Sequence, residues 1–299
     1  MGSTALPTDQ KRGVLAAASG GLLLACDIPL IKLAETDPWT VLFIRGPVVL
    51  VLFFVFSQIL QARGFKDAKL FHGRPTIIFA LFHTVATISF VHGIFYTTTA
   101  NLVFITAFSS LFALLIARIF YGEKHPFITW LAAGFALLGI LIITVNDFLL
   151  HDTKHLFGNL AALICALMLA CEMLYARRSG KNLVFAPAFS GVFAFIVATP
   201  LILSGGITLG APEFLLINVV FFAPVAMALL ALAPRFISGP EVTLFFLLET
   251  VFAPLLVWAI FAETPSPNTL LGGVIIVMAI SAHSIIQMQR QKRGLIPLR

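Results

Sequence analysis

Long apolar stretches alternate along the chain with short polar breaks. Ten such runs can be marked, at 13–34, 39–61, 75–95, 98–119, 126–146, 157–177, 183–203, 214–233, 240–261 and 268–288. A helix needs about 20 apolar residues to cross a bilayer, so each run predicts one spanning helix. The breaks carry turn formers or charge, as in Glu35-Thr36-Asp37-Pro38, Gly122 to Pro126 and Thr264 to Asn268. A barrel would show short segments of alternating polarity, whereas these runs are unbroken, so the pattern predicts helices.

One stretch of the pattern occurs twice. Phe112 to Glu123 and Phe252 to Glu263 are both apolar runs closed by a lone glutamate, and they lie 140 positions apart without a gap. Upstream, Leu22-Leu23-Leu24-Ala25-Cys26-Asp27 echoes Leu167-Met168-Leu169-Ala170-Cys171-Glu172 at an offset of 145. Self-similarity of this kind means one architectural unit used twice. The expected organisation is a tail at 1–12, a first five-helix unit at 13–146, a linker at 147–156, a second unit at 157–288 and a basic tail at 289–299.

Composition agrees with a bilayer as the solvent. The 299 residues are 60% hydrophobic and 11% charged, against about 25% charged in soluble domains. The net charge of +6 does not point to nucleic acid, because the basic residues sit between apolar runs and form no stripe with exposed aromatics. Threaded ten times across a membrane, the chain puts sixteen of its nineteen Lys and Arg residues on one side and only Lys32 and Lys154 on the other, with Arg45 inside the second run. The positive-rich side is expected to be cytoplasmic, with both termini there. Five helices per unit is an odd number, so the second unit enters from the opposite face. The expected fold is all-α, ten spans in two inverted repeats, an arrangement that lets a central site open to each side in turn. Cys26, Cys165 and Cys171 all lie in apolar runs without metal or redox spacing and read as small buried side chains.

The repeated motifs, Tyr121-Gly122-Glu123-Lys124-His125-Pro126 and Phe261-Ala262-Glu263-Thr264-Pro265, together with ten helices in two tandem units, resemble the drug/metabolite transporter superfamily in its EamA-type branch. The resemblance covers roughly residues 13–288. It implies a central cavity enclosed by helices 1–4 and 6–9, with helices 5 and 10 outside it. It also implies export of amino acids or other small metabolites from a bacterial inner membrane, with import in some branches. Aromatic amino-acid exporters of the family line their cavity with Trp and Tyr. Here three Trp and three Tyr stand against 30 Phe, which argues against an aromatic substrate.

Ionisable side chains deep in a bilayer cost about 2.5 to 3.5 kcal/mol each on insertion scales, so those that remain mark the site. Glu249, in the middle of the ninth run, is either a cavity carboxylate for a substrate amine or a proton, or an acid bonded to a neighbouring helix. Its counterpart at an offset of 140 is Ser109. Asp27 and Arg45 lie at similar depth on consecutive helices and are expected to pair, as an outer gate, as a clamp for a substrate carboxylate, or as a structural pair. Glu172, counterpart of Asp27, is expected either to meet Arg177 and Arg178 at the interface or to form an inner gate. His83 lies in the third run as a proton carrier or a core histidine. Asn101 and Glu241, at the starts of the fourth and ninth runs, stand as cavity-rim candidates or as helix-start residues. Glu123 and Glu263 are expected to be structural, capping the next helix or holding their turns. Pro47, Pro187, Pro224 and Pro254 are expected to interrupt their helices.

The sequence therefore predicts a secondary transporter of a small polar or amphiphilic, amino-acid-like metabolite, most simply an exporter. The alternative is an importer or exchanger of a cationic or nucleotide-like metabolite, towards which the excess of Asp27, Glu172 and Glu249 over Arg45 leans. No Walker-A loop, HExxH, GxSxG or metal-ligand spacing is present, so neither direct use of ATP nor an enzyme is expected. No cofactor and no nucleic-acid partner are expected. The expected partners are the substrate, lipid and protons as a coupling ion, with the protein a monomer or homodimer.

Overall fold

A computed structural model describes residues 8–62, 69–122, 127–149, 152–233, 236, 237 and 239–292. Helix covers all ten apolar runs. α1 (Thr8–Ala25) and α2 (Asp27–Leu33) share the first, α3 (Pro38–Ala62) and α4 (Arg74–Tyr96) take the next two, and α5 (Thr99–Ala107) and α6 (Ser109–Tyr121) share the fourth. α7 (Phe127–Leu149), α8 (Thr153–Ser179) and α9 (Pro187–Gly205) follow. The eighth run holds α10 (Pro212–Ile217), a π-helical turn at Asn218–Phe222 and α11 (Ala223–Leu232). α12 (Gly239–Phe261) and α13 (Pro267–Lys292) complete the chain. Among the described residues, eight stretches are long and apolar enough to cross a membrane, and Trp130–Val145 and Phe245–Phe261 are shorter apolar helices. Helix is what lipid demands, because it satisfies every backbone polar group within the segment.

The ends of these helices follow local chemistry. Asp152 accepts the His155 amide and starts α8, so α7 and α8 extend into the expected linker at 147–156 from both sides. Thr98 accepts the Asn101 amide and starts α5. α6 ends in Gly122, in the left-handed region at φ 64°, and the matching residue after α12, Ala262, holds φ 54°. The interruptions differ from those expected. Pro187 begins α9, and the proline inside that helix is Pro200. Pro47 and Pro254 lie within continuous helices, and Pro224 follows the π turn. The true breaks are at Cys26, two residues before Ile28-Pro29, and at Phe108, where the sequence carries no glycine or proline.

Packing is pairwise and matched between the halves. α4 lies along α8 as α1 lies along α11, and α5 and α6 meet α8 as α12 meets α1. α3 pairs with α9 and α7 with α13. Both of these last crossings are made at glycine. A Cβ on Gly46 would stand 2.3 Å from the Gly191 carbonyl oxygen, and one on Gly139 would stand 2.7 Å from that of Gly272. Small residues of this kind let helix backbones touch in a membrane, where packing replaces the hydrophobic effect as the force between helices. The main core gathers Leu102, Ile105, Phe108, Ile143 and Ile276 between the halves. Large apolar side chains such as Phe127 and Leu203 face outwards, 79% and 83% exposed, as a lipid-bathed surface requires.

Candidate functional site

Between the packed pairs lies a cavity of about 460 Å³. Its wall takes residues from α1–α6, α8, α9, α11 and α12, with Ile280 the sole contribution of α13. The wall is mostly apolar, but Asp27, Arg45, His83, Ser109, Glu172 and Glu249 all line it. A cavity of this size is in the range of small-molecule sites, which combine apolar walls with a few placed polar groups.

Asp27 occupies the first turn of α2, immediately after the break at Cys26. Its Oδ2 accepts a bond from Arg45 Nη1 at 3.2 Å, and its Oδ1 accepts one from Asn218 Nδ2 at 2.9 Å. The same amide reaches the Asp27 carbonyl at 3.3 Å. Asp27 is 3% exposed and Asn218 is fully buried. Both carboxylate oxygens are thus bonded, which reduces the desolvation cost of keeping the charge in the membrane. Arg45 has no hydrogen bond beyond this one among the described residues, so its remaining N–H donors are left for another acceptor.

His83 on α4 and Glu172 on α8 form a second pair, with Nδ1 and Oε2 2.8 Å apart and both side chains 13% exposed. The packing of α4 along α8 brings them together. Glu172 therefore faces the cavity, while Arg178 stacks over the Tyr121 ring, 3.5 Å from its centroid. Glu249 on α12 is partly buried, has no hydrogen-bond partner among the described residues, and lies within electrostatic reach of Asp27 and Arg45. Ser109, its counterpart in the other half, lies on the same cavity wall.

Asn101 stands elsewhere. Its side chain accepts from Thr269 Oγ1 at 2.8 Å and reaches Asn159 at 3.4 Å, and Asn159 also accepts from Thr97 at 2.6 Å. This buried amide joins α5, α8 and α13 and does not rim the cavity. The reason is that a buried amide needs partners, and Thr269 at the start of α13 and Asn159 in the second turn of α8 supply them. Glu263 is also turned away from its own turn. Its Oε1 accepts the Thr99 amide at 2.7 Å and its Oε2 pairs with Lys32, so it caps a helix of the other half. The helix after Glu263 is capped by Ser266, which accepts the Thr269 amide at 3.1 Å. The Glu241 side chain and all of Glu123 lie outside the described residues; Glu241 is placed only as a first-turn residue of α12.

The cavity wall extends towards the helix ends that carry most of the Lys and Arg residues, at Phe53 in α3, Phe79 in α4, Met173 in α8 and Leu230 in α11, and also takes Leu42 and Phe90 from the other ends of α3 and α4. At the opposite ends polar bonds join the halves. Besides the Lys32–Glu263 pair, the Gly210 and Ala211 amides donate to the Glu35 and Ala34 carbonyls, and Thr36 donates to the Thr208 carbonyl at 2.7 Å. Sequence reasoning missed Asn218, an amide inside the eighth apolar run, and that polar interruption was the signal for it.

Residues 11–145 match the EamA-like transporter family. The chain is 26% identical over 243 residues to the uncharacterized transporter YdfC of Bacillus subtilis (strain 168), covering 78% of this chain and 76% of that relative. A protein of known crystal structure has a similar fold, with a TM-score of 0.63 at 14% identity, over 93% of this chain and 98% of the other.

Proposed function

We propose that the chain is an EamA-type transporter of the drug/metabolite superfamily, not an enzyme, and that it exports a small amino-acid-like zwitterion across the inner membrane by alternating access. The observation that carries this reading is the pairing of two unsatisfied groups in one cavity. Among the described residues Glu249 offers a carboxylate without a hydrogen-bond partner, and Arg45 offers guanidinium donors beyond the one used by Asp27. A ligand with an ammonium and a carboxylate complements both. Arg45 suits the carboxylate because its planar fork bonds two oxygens at once. Asp27 and Asn218 hold that fork in place.

Ten spans, in two inverted repeats with both termini cytoplasmic, are part of the same proposal. The matched helix pairs, the glycine crossings and the one-sided basic residues support it. In that orientation the cavity reaches towards the cytoplasm and the outer ends are bonded shut, the state in which an exporter loads. A cationic metabolite is the second reading, favoured by three cavity acids against one arginine.

The test is transport by the reconstituted protein of a uniformly labelled mixture of L-amino acids, with labelled arginine and a labelled polyamine run separately. Glu249→Gln and Arg45→Gln should each abolish uptake of the mixture while the protein still inserts. Uptake of the polyamine alone, lost in Glu249→Gln and kept in Arg45→Gln, favours the cationic reading. Wild-type rates in both variants would overturn the site.

A further inference from the structure

Asp27 and Glu172 occupy matching positions in the two halves, yet their partners differ in kind. Asp27 is held by an arginine, which does not release its proton in proteins. Glu172 is held by a histidine, which does. We propose that the His83–Glu172 pair is a proton-binding site of the transport cycle, separate from the groups that hold the substrate. The proposal rests on the transporter reading above.

The geometry allows one proton to come and go without loss of the pair. Nδ1 is bonded to Glu172 Oε2 at 2.8 Å, while Nε2 has no hydrogen-bond partner among the described residues and belongs to a side chain that lines the cavity. Neutral His83, protonated at Nδ1, donates to the carboxylate. Nε2 then accepts a proton from cavity water, which gives an imidazolium and leaves the Nδ1 bond in place as a charge-assisted one. Release is the reverse step, by the same nitrogen, into water on the other side. On each passage an O–H bond of a protonated cavity water breaks as the Nε2–H bond forms, and on release the Nε2–H bond breaks as an O–H bond forms on water. Phe79 stacks on the ring at 5.9 Å and limits its movement, so proton exchange does not require the ring to swing.

The ionisable groups that share this cavity are known. Arg45 comes from α3, Asp27 from α2, Glu249 from α12 and Cys165 from α8 itself. α9, α5 and α6 contribute Ser190, Thr106 and Ser109 to the wall and no ionisable side chain. Glu172, Glu249 and Cys165 all line this one cavity. A change of charge at His83 is therefore felt in the same low-dielectric space that holds Glu249, which is how a proton and a substrate can be made to alternate.

Two measurements test this, one of them independent of any substrate. Nitrogen-15 spectra of the reconstituted full chain, labelled at histidine, should contain a signal that changes with pH as a proton is gained and lost. That signal should be absent in His83→Asn and should respond differently to pH in Glu172→Gln. With the labelled amino-acid mixture, the ratio of pH-gradient-driven accumulation to exchange should fall, in either variant, to its value without a gradient. A His83 signal that does not change with pH, or an unchanged ratio in both variants, would overturn the proposal. If no amino acid is carried, the substrate reading fails and the spectra alone decide the proton site. If His83→Asn does not fold, Glu172→Gln decides both measurements.

Discussion

Lys32 and Glu263, 231 positions apart, form an ion pair that fastens the end of α2 to the turn after α12. The other oxygen of the same carboxylate accepts the Thr99 amide at the start of α5. One side chain therefore joins three helices from both halves, at the ends away from the cavity mouth.

This junction predicts a graded result. Glu263→Gln keeps an oxygen for the Thr99 amide and loses the charge, while Glu263→Ala loses both. Hydrogen bonds to charged groups contribute about 1.5 to 3 kcal/mol, less where solvent reaches them. Unfolding of the detergent-solubilised protein should show Ala more destabilising than Gln, by about 1 kcal/mol. The same variants should speed labelling of a cysteine placed at Thr36. Equal stability of the two variants would remove the Thr99 bond from the account.

The glycine crossings predict opposite outcomes for one type of substitution. Gly46→Ala and Gly191→Ala each drive a methyl group into a facing backbone, at 2.3 and 2.7 Å, and backbone cannot move aside as a side chain can. Overpacking of this kind costs about 1 to 3 kcal/mol. Gly134→Ala, on α7 with nothing within 4 Å, should gain about 0.5 to 1 kcal/mol from helix propensity. Denaturation midpoints of the three variants would check both signs.

A third contrast concerns the two helix ends that close the repeated motif. Gly122 and Ala262 share left-handed dihedrals, at φ 64° and 54°, a region that costs a residue with a Cβ about 1 to 2 kcal/mol. Gly122→Ala should lose about 1 kcal/mol. Ala262→Gly should lose nothing, because relief of strain offsets the added freedom of the unfolded chain. A loss at Ala262→Gly as large as at Gly122→Ala would show that the alanine methyl is needed where it stands.

Much of this arrangement was legible from the order of residues. The helices over the apolar runs and the Asp27–Arg45 pair follow from periodicity and from the cost of burying charge. What was hidden depends on the third dimension. Glu172 has Arg177 and Arg178 nearby in sequence, but the α4–α8 contact supplies His83, 89 positions away. Glu263 resembled a local cap because only its neighbours in sequence were visible, while Lys32 and Thr99 arrive from the other half. Asn101 matched Glu241 in position but is consumed by Thr269 and Asn159, which no spacing rule brings together. The break at Phe108 has no proline or glycine to announce it, so tertiary packing, not propensity, sets it.

The contact of Gly46 with Gly191 lies on the cavity wall and has no side chains to interlock. Two backbones that meet bare can roll on one another as a bearing does, exchanging few atoms and unseating no rotamers. Tilting α3 against α9 then disturbs, near the pivot, chiefly the stacked rings of Phe43 and Phe195. On the proposed cycle the polar fastenings at the helix ends would hold the cavity to one side, and a handful of substitutions would loosen or tighten them.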